Sequence, residues 1–277
     1  MPTSHRLPLA SALVCLALLA GCGTETSQDT GTNLTYLGQL PDFTLDDVDG
    51  NGFQLSSLDA DRAEIERVLR AVGLEYGLTA DMGLDTEWAS LVGLQEDGEF
   101  DPWAKWKLLY KAGAQFGRVA TEESLEDLQT LGDAVDWIER LNGQPVVFMT
   151  WSPRCKTCPQ MNDRIHETLA PVDARLIVIA SSFGDTPEMF AKYRELYDFH
   201  LRILADTEQE ITDVLKAERT PTFHVIDGEG RLRYRGALDD DPMGLKDLEE
   251  RTGYVADAVV AITRGDEVAT PESTAPG

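Results

Sequence analysis

The chain has 277 residues, 42% hydrophobic and 26% charged. That is enough to bury one substantial core or two small ones, and it excludes a disulfide miniprotein, a collagen-like chain and a wholly disordered one. Lys and Arg number 24 against 49 Asp and Glu, a formal net charge of −25, so a nucleic-acid backbone or an anionic lipid surface would be repelled. Such acidity reads either as a solvated, soluble surface or as adaptation to a salty medium in which ions screen the self-repulsion.

At the N-terminus, Arg6 precedes an apolar stretch from Leu7 to Ala20 that is too short for a membrane span, the pattern of a signal peptide. Leu19-Ala20-Gly21-Cys22 resembles the lipobox of bacterial lipoprotein signal peptides. The resemblance implies cleavage after residue 21, a lipid on Cys22, and a cell-envelope location facing the periplasm or the exterior. Gly23 follows the cysteine, where an aspartate is absent, and in Gram-negative lipoproteins that pattern permits export to the outer membrane. With Cys15 in the signal and Cys22 lipidated, Cys155 and Cys158 remain of the four cysteines. An exported domain with a single C-x-x-C either uses that pair for chemistry or carries a lone local bridge.

Residues 22–40, rich in Thr, Ser, Gly and Gln, predict a flexible tether. Pro41 to Leu58 holds two alternating runs around Asp49-Gly50-Asn51-Gly52, a hairpin signal because both dipeptides supply positive φ. Asp47, Asp49, Asn51 and Gly52 imitate the start of a calcium loop. Its twelfth position falls on Leu58, where a bidentate Glu is needed, so the hairpin is the reading retained. Residues 59–143 predict a helical insertion. Ile65, Val68, Leu69 and Val72 recur at helical spacing, and Asp101-Pro102 opens a run with Trp103, Trp106, Leu108, Leu109 and Tyr110. Thr121 to Leu141 carries Leu125, Leu128, Leu131, Val135 and Ile138 along one stripe. These stripes read as core and not as a cofactor box.

From Pro145 the pattern alternates. Buried strands are predicted at 145–151 and 175–181, shorter ones at 201–204, 222–226 and 232–235, and helices at 155–169, 187–197, 208–217 and 245–263. Residues 265–277 read as a loose tail. Strand–helix alternation followed by a hairpin and a closing helix predicts an α/β sheet covered on both faces, over residues 41–264.

The chemistry concentrates in Trp151-Ser152-Pro153-Arg154-Cys155-Lys156-Thr157-Cys158-Pro159, where a buried strand hands over to a helix. A cysteine at a helix start meets free backbone N–H groups and the positive end of the dipole, and Arg154 and Lys156 add positive charge. The second thiol falls one turn along, within disulfide reach. Cys155 is therefore the predicted attacking sulfur and Cys158 the resolving one.

Pro41-Asp42-Phe43-Thr44-Leu45, the strand ending in Trp151, the C-x-x-C, Thr220-Pro221-Thr222-Phe223 and Ile226-Asp227-Gly228-Glu229-Gly230-Arg231 fall in the order of a thioredoxin-fold protein. The chain resembles TlpA/ResA-like and redoxin (AhpC/TSA-like) envelope proteins over residues 41–58 and 144–264. The resemblance implies a thioredoxin-like fold, with a central mixed sheet flanked by helices. It also implies a cis bond before Pro221 facing the disulfide, and a substrate-contacting group of Trp151, Thr220 and Pro221. The implied activity is thiol–disulfide oxidoreduction on envelope proteins bearing disulfides or thiols, fed by a membrane thiol–disulfide electron donor. No cofactor beyond the Cys155–Cys158 disulfide, no metal and no nucleic acid is expected.

Some positions depart from the family. Met149 stands where thioredoxin keeps a buried acid, and Met161 where TlpA/ResA-like proteins often keep a glutamate, which leaves proton transfer at Cys158 to water or a partner group. Lys156-Thr157 replaces the Gly-Pro of thioredoxin, and the helical insertion stands where relatives have a short connection. Three alternatives fit these residues less well. A peroxiredoxin-like peroxidase needs Pro-x-x-x-Thr/Ser-x-x-Cys, and here Ser152 fits but Phe148 replaces the proline. A copper chaperone of the SCO type spaces its thiols Cys-x-x-x-Cys, and a zinc site needs ligands that the scattered His166, His200 and His224 do not offer.

Overall fold

Short strands come first, each fixed by a partner rather than by its own length. The computed structural model describes residues 36–76, 83–85, 103–181, 184–197, 199 and 201–276, all within a unit spanning Leu34–Gly277. The predicted signal peptide, Cys22, most of the predicted tether, Asp101-Pro102 and His200 lie outside the described residues. β1 (Gly38–Gln39) already belongs to the main sheet. The Leu37 and Leu40 amides donate to the carbonyls of Leu232 and Gly230 at 2.7 and 2.9 Å, and both leucines enter the apolar cluster around Phe148 and Ile226. The tether predicted to run to residue 40 therefore ends earlier, because two apolar side chains anchor its last residues. β2 (Thr44–Asp46) and β3 (Gly52–Gln54) form the predicted hairpin. Gly50 takes φ +82°, and the Asp47 carboxylate accepts the Asp49 and Asn51 amides, closing the turn as Asx side chains do.

The predicted helical insertion contains α1 (Arg62–Leu74), α2 (Ala104–Gln115), α3 (Glu122–Glu126) and α4 (Leu131–Glu139). Ile65, Leu69, Leu108, Leu109, Leu125, Leu131, Val135 and Ile138 bury one another in a core separate from that of the sheet. The stripe over 121–141 is divided between two helices. Thr121 with Ser124, and Thr130 with Asp133, each form a reciprocal cap, so a new helix start is written into the middle of the stripe.

The remaining elements build the sheet. They are β4 (Val146–Trp151), α5 (Asn162–Leu169), β5 (Arg175–Ala180), α6 (Pro187–Leu196), β6 (Arg202–Ala205), α7 (Glu210–Val214), β7 (Thr222–Ile226), β8 (Arg231–Gly236) and α8 (Tyr254–Arg264). The order is β1-β8-β7-β4-β5-β6, with β4, β5 and β6 parallel and β7 antiparallel to β4 and β8. Every residue of β4, β5 and β7 is buried, as expected of central strands covered on both faces. This is the mixed α/β sheet of a thioredoxin-like fold.

Three predicted segments change most. Regular helix begins at Asn162 after a 3-10 turn at Pro159–Met161, and not at Cys155. The closing helix begins at Tyr254 and not Leu245, because Asp240 and Asp241 take up the amides of Leu245, Lys246 and Thr252 and hold that stretch as a loop. The predicted loose tail is docked. Arg235 donates its amide to Pro271 and accepts the Ser273 amide, and the Ser273 hydroxyl meets the Tyr234 hydroxyl and the Ala237 amide. β1 and this tail thus share the outer edge of β8, leaving little of it open to another strand.

Candidate active site

Strand β4 delivers its last residue, Trp151, to the turn that carries the sulfurs. That turn is tied down locally: the Cys155 amide donates to the Ser152 carbonyl at 3.0 Å, and the Arg154 amide to the Ser152 hydroxyl at 3.1 Å. Cys155 and Cys158 are joined as a disulfide with Cα atoms 5.4 Å apart. Cys155 is half-buried, whereas Cys158 is 1% exposed and packs in the sheet core with Met149, Met161 and Leu238. One sulfur is reachable and the other is enclosed by apolar side chains.

The predicted helix-end electrostatics survive in a more local form. No regular helix starts at Cys155, yet the Cys158 amide donates to Cys155 Sγ at 3.1 Å and the Thr157 hydroxyl lies 3.4 Å from it. A donor aimed at sulfur stabilises negative charge developing there. The predicted support from Arg154 is corrected: its guanidinium is 2.9 Å from the enclosed carboxylate of Asp185, which offsets its charge. Lys156 is exposed.

Opposite the disulfide, the loop before β7 supplies backbone. The Thr220–Pro221 bond is cis, and Cys155 Sγ lies 3.2 Å from the Thr220 carbonyl oxygen. Thr222 braces this loop, donating its hydroxyl to the Arg219 carbonyl at 2.7 Å while its own carbonyl accepts from the Thr150 hydroxyl at 3.2 Å. Thr220 is half-buried and Pro221 buried. Trp151 is 4% exposed, stacked on Phe199 at 6.1 Å and edge-on to Phe190 and Tyr193. Of the three residues predicted to face a substrate, Thr220 borders the sulfur, Pro221 is buried next to Thr220 in the chain, and Trp151 is corrected, because Phe190, Tyr193 and Phe199 enclose it.

Neither of two concavities near the sheet is lined by the cysteines. One of about 1260 Å³ lies between the β2–β3 hairpin and α1–α2, and a second of about 420 Å³ lies by the β7–β8 turn. Among the described residues no group of three or more His, Cys, Asp or Glu could hold a metal ion. His224 sits fully buried in β7, its pKa pushed down to about 3 by burial and then by the Arg235 guanidinium. Phe148, at the position where a peroxidase would need proline, is an interior residue of β4 paired with His224 and Ile177.

Sequence reasoning did not find Asp185, Arg164, Asp239 or Asp241. Arg164 bonds the Asp239 carboxylate at 2.5 and 2.6 Å and the Asp241 carbonyl. The Asp239-Asp240-Asp241 run was the available signal, and a run of acids ordinarily reads as a solvated face.

Residues 117–235 match the model of the AhpC/TSA family. No curated protein matches the chain significantly. Among solved structures, a hypothetical protein from Sinorhizobium meliloti 1021 is similar at 18% identity, covering 88% of this chain and 92% of that one with a TM-score of 0.48. A secreted Mycobacterium tuberculosis disulfide oxidoreductase homologous to Escherichia coli DsbE is similar at 18% identity, over 43% of this chain and 82% of that one, TM-score 0.33. The exposed lipoprotein thioredoxin Etrx1 of Streptococcus pneumoniae strain TIGR4 is similar at 16% identity, over 70% and 87%, TM-score 0.36.

Proposed function

We propose that the chain is a redoxin-type member of the thioredoxin-fold superfamily and a thiol–disulfide oxidoreductase acting on polypeptides of the bacterial cell envelope. The reading includes a lipid anchor on Cys22, a redox-active Cys155–Cys158 disulfide as the sole redox group, and a membrane thiol–disulfide protein as electron donor. One observation carries it: a half-buried sulfur, Cys155, is bonded to a buried one and lies against the Thr220 carbonyl at 3.2 Å. Because Cys155 is half-buried beside the half-buried Thr220 whereas Cys158 is enclosed, the reachable sulfur and the neighbouring backbone carbonyl suit an extended polypeptide.

In the reductive direction, the Cys155 thiolate attacks one sulfur of a substrate disulfide. A Cys155–substrate bond forms, the substrate S–S bond breaks, and the departing thiolate takes a proton from water. The Cys158 thiolate then attacks Cys155 Sγ, forming the intramolecular disulfide and releasing the second substrate thiolate. Two electrons pass from the protein dithiol to the substrate. Run backwards, the same steps oxidise a dithiol. The Cys158 amide, 3.1 Å from Cys155 Sγ, supports the charge on that sulfur when it leaves, and the Thr220 carbonyl can accept an amide of an extended substrate.

The test is a dithiol–disulfide exchange assay on three proteins. Cys155→Ser is expected to reduce turnover to background, and Cys158→Ser to accumulate a mixed disulfide visible on a non-reducing gel. Unchanged turnover in Cys155→Ser would remove the assignment. The family match favours peroxide reduction as the second reading, and hydrogen peroxide consumption faster than disulfide exchange would establish it instead.

A further inference from the structure

The loop between β8 and α8, residues 237–253, presents apolar side chains to solvent on a rigid support. Met243 is 70% exposed, Leu245 84% and Leu248 49%. Their backbone is held from several sides. Arg164, buried on α5, grips Asp239 and the Asp241 carbonyl. Asp241 accepts the Leu245 and Lys246 amides at 2.9 and 2.8 Å, and Asp240 accepts the Thr252 amide at 2.9 Å. Arg251 donates to the Lys246 carbonyl at 3.0 Å and lies 3.4 Å from the Asp241 carboxylate. An apolar surface already ordered in this way loses little conformational freedom when a partner covers it.

The same contacts tie the loop to the elements that carry the sulfurs. Gly236, where the loop departs, pairs with Phe223, two residues beyond Pro221. Leu238 shares a core with Cys158. Arg164, which grips Asp239, stands six residues after Cys158, with the 3-10 turn Pro159–Met161 between them.

We propose that this loop docks the polypeptide segment flanking the partner's cysteine, a segment carrying apolar side chains with basic ones beside them; the proposal rests on the thiol–disulfide reading above. The basic character follows from the rim. Asp247, Glu249 and Glu250 are exposed, and none of them enters an ion pair among the described residues. A second copy of the chain would bring matching acidic rims together, and an anionic lipid surface would meet the same charge. A cationic, apolar peptide meets complementary chemistry on both counts.

The experiment uses the reduced protein in single turnover against three oxidised probes. These are the small aromatic disulfide DTNB, a disulfide-linked peptide with Leu and Lys three to five residues from its cysteine, and the same peptide with Ser and Glu there. Met243→Ser, Leu245→Ser and Leu248→Ser are combined in one variant, whose fold is checked by its unfolding curve. The wild type is expected to favour the Leu/Lys peptide over the Ser/Glu one by at least about tenfold, equivalent to ~1.4 kcal/mol. The variant should lose that preference and keep the wild-type rate with DTNB. No preference in the wild type, or an undiminished one in the variant, overturns the docking proposal. A wild-type dimer that the variant makes monomeric in sedimentation overturns it in favour of a second copy. Failure of the wild type to reduce any of the three probes would instead defeat the oxidoreductase reading itself.

Discussion

The sheet and the helical insertion are stabilised in opposite ways, although both bury long aliphatic side chains. In the sheet half, charge is carried inside: Arg164 and Asp239 are both buried, and Arg233 lies against Asp227 at 3.3 Å with both side chains almost fully enclosed. In the insertion, most pairs stay outside, as in those of Arg62 with Asp136 and Glu139 and of Lys111 with Glu75, and the buried Arg118, which pairs with Asp173 at 2.7 Å, is an exception. Exposed pairs of that kind contribute little, with a median of about 0–1 kcal/mol. The insertion therefore rests chiefly on packing, with its helix caps and Arg118 added, while the sheet half depends more on enclosed polar contacts that fail badly when one partner is removed. The two meet through a few fixed contacts, among them the Leu176 amide on the Gly117 carbonyl at 2.7 Å and Arg175 reaching Asp59 and Asn142. Cys155, Cys158 and the groups that touch the Cys155 sulfur lie on the sheet side.

The strongest way to break this contrast is a cavity in the insertion. Leu108 is fully buried between α1 and its neighbours, so Leu108→Ala should cost about 2–5 kcal/mol. Denaturant unfolding would measure that loss, and single-turnover disulfide exchange in the folded variant should match the wild type. A slowed exchange step would mean that the insertion shapes the site, and the division drawn above would have to be abandoned.

The same contrast explains what could be read from the sequence. The strands β4 and β5 were legible because a mostly apolar run has few alternatives once its length is that of a strand, and β7 because the Asp227-Gly228-Glu229-Gly230 turn follows it. The C-x-x-C and Thr220-Pro221 were legible as types of residue at set places in that pattern. Their mutual contact was not, because sequence separation of 65 residues says nothing about a 3.2 Å approach. The breaks were the least legible part. Thr130 with Asp133 is a cap only if the chain elects to start a helix there, and Asp240 with Asp241 organises a loop only because Arg164 is buried beneath them. The docked tail was missed for a similar reason. Ser273 carries no hydrophobic signal, and its bonds go to Tyr234, Arg235 and Ala237, which precede it by more than thirty positions.

A middle-sized effect sharpens the account of the sheet interior. His224 has its folded pKa pushed down to about 3 from 6.5, first by burial and then by Arg235. The unfolded chain therefore binds a proton that the folded chain refuses, across the window between those values. Stability is complete above about pH 6.5 and falls as pH drops through the window by ~1.4 kcal/mol per unit. At pH 5 the loss should be about 2 kcal/mol relative to pH 7.5, before the carboxylates protonate in number. His224→Leu should flatten that part of the profile in urea titrations. An unflattened profile would place the acid sensitivity in another group and weaken the picture of a dry sheet centre.

The smallest effect concerns the edge of the sheet, where the two N- and C-terminal segments cover β8 side by side. Gly236 has φ +154°, a conformation other residues rarely take, and a Cβ there would meet the Ser273 hydroxyl and stand 2.6 Å from its carbonyl oxygen. Gly236→Ala should therefore lift residues 271–273 off the edge without disturbing the interior, whose strands do not depend on them. The tail's backbone and hydroxyl bonds would be exchanged for bonds to water, so the net loss should be about 1 kcal/mol. Amide hydrogen exchange would show it as faster exchange at Arg235, Ala237 and Ser273, with the amides of β4 and β5 unchanged. If β4 and β5 loosen together with the tail, the edge and the centre form one cooperative unit, and the tail counts as part of the sheet rather than as a cover laid along it.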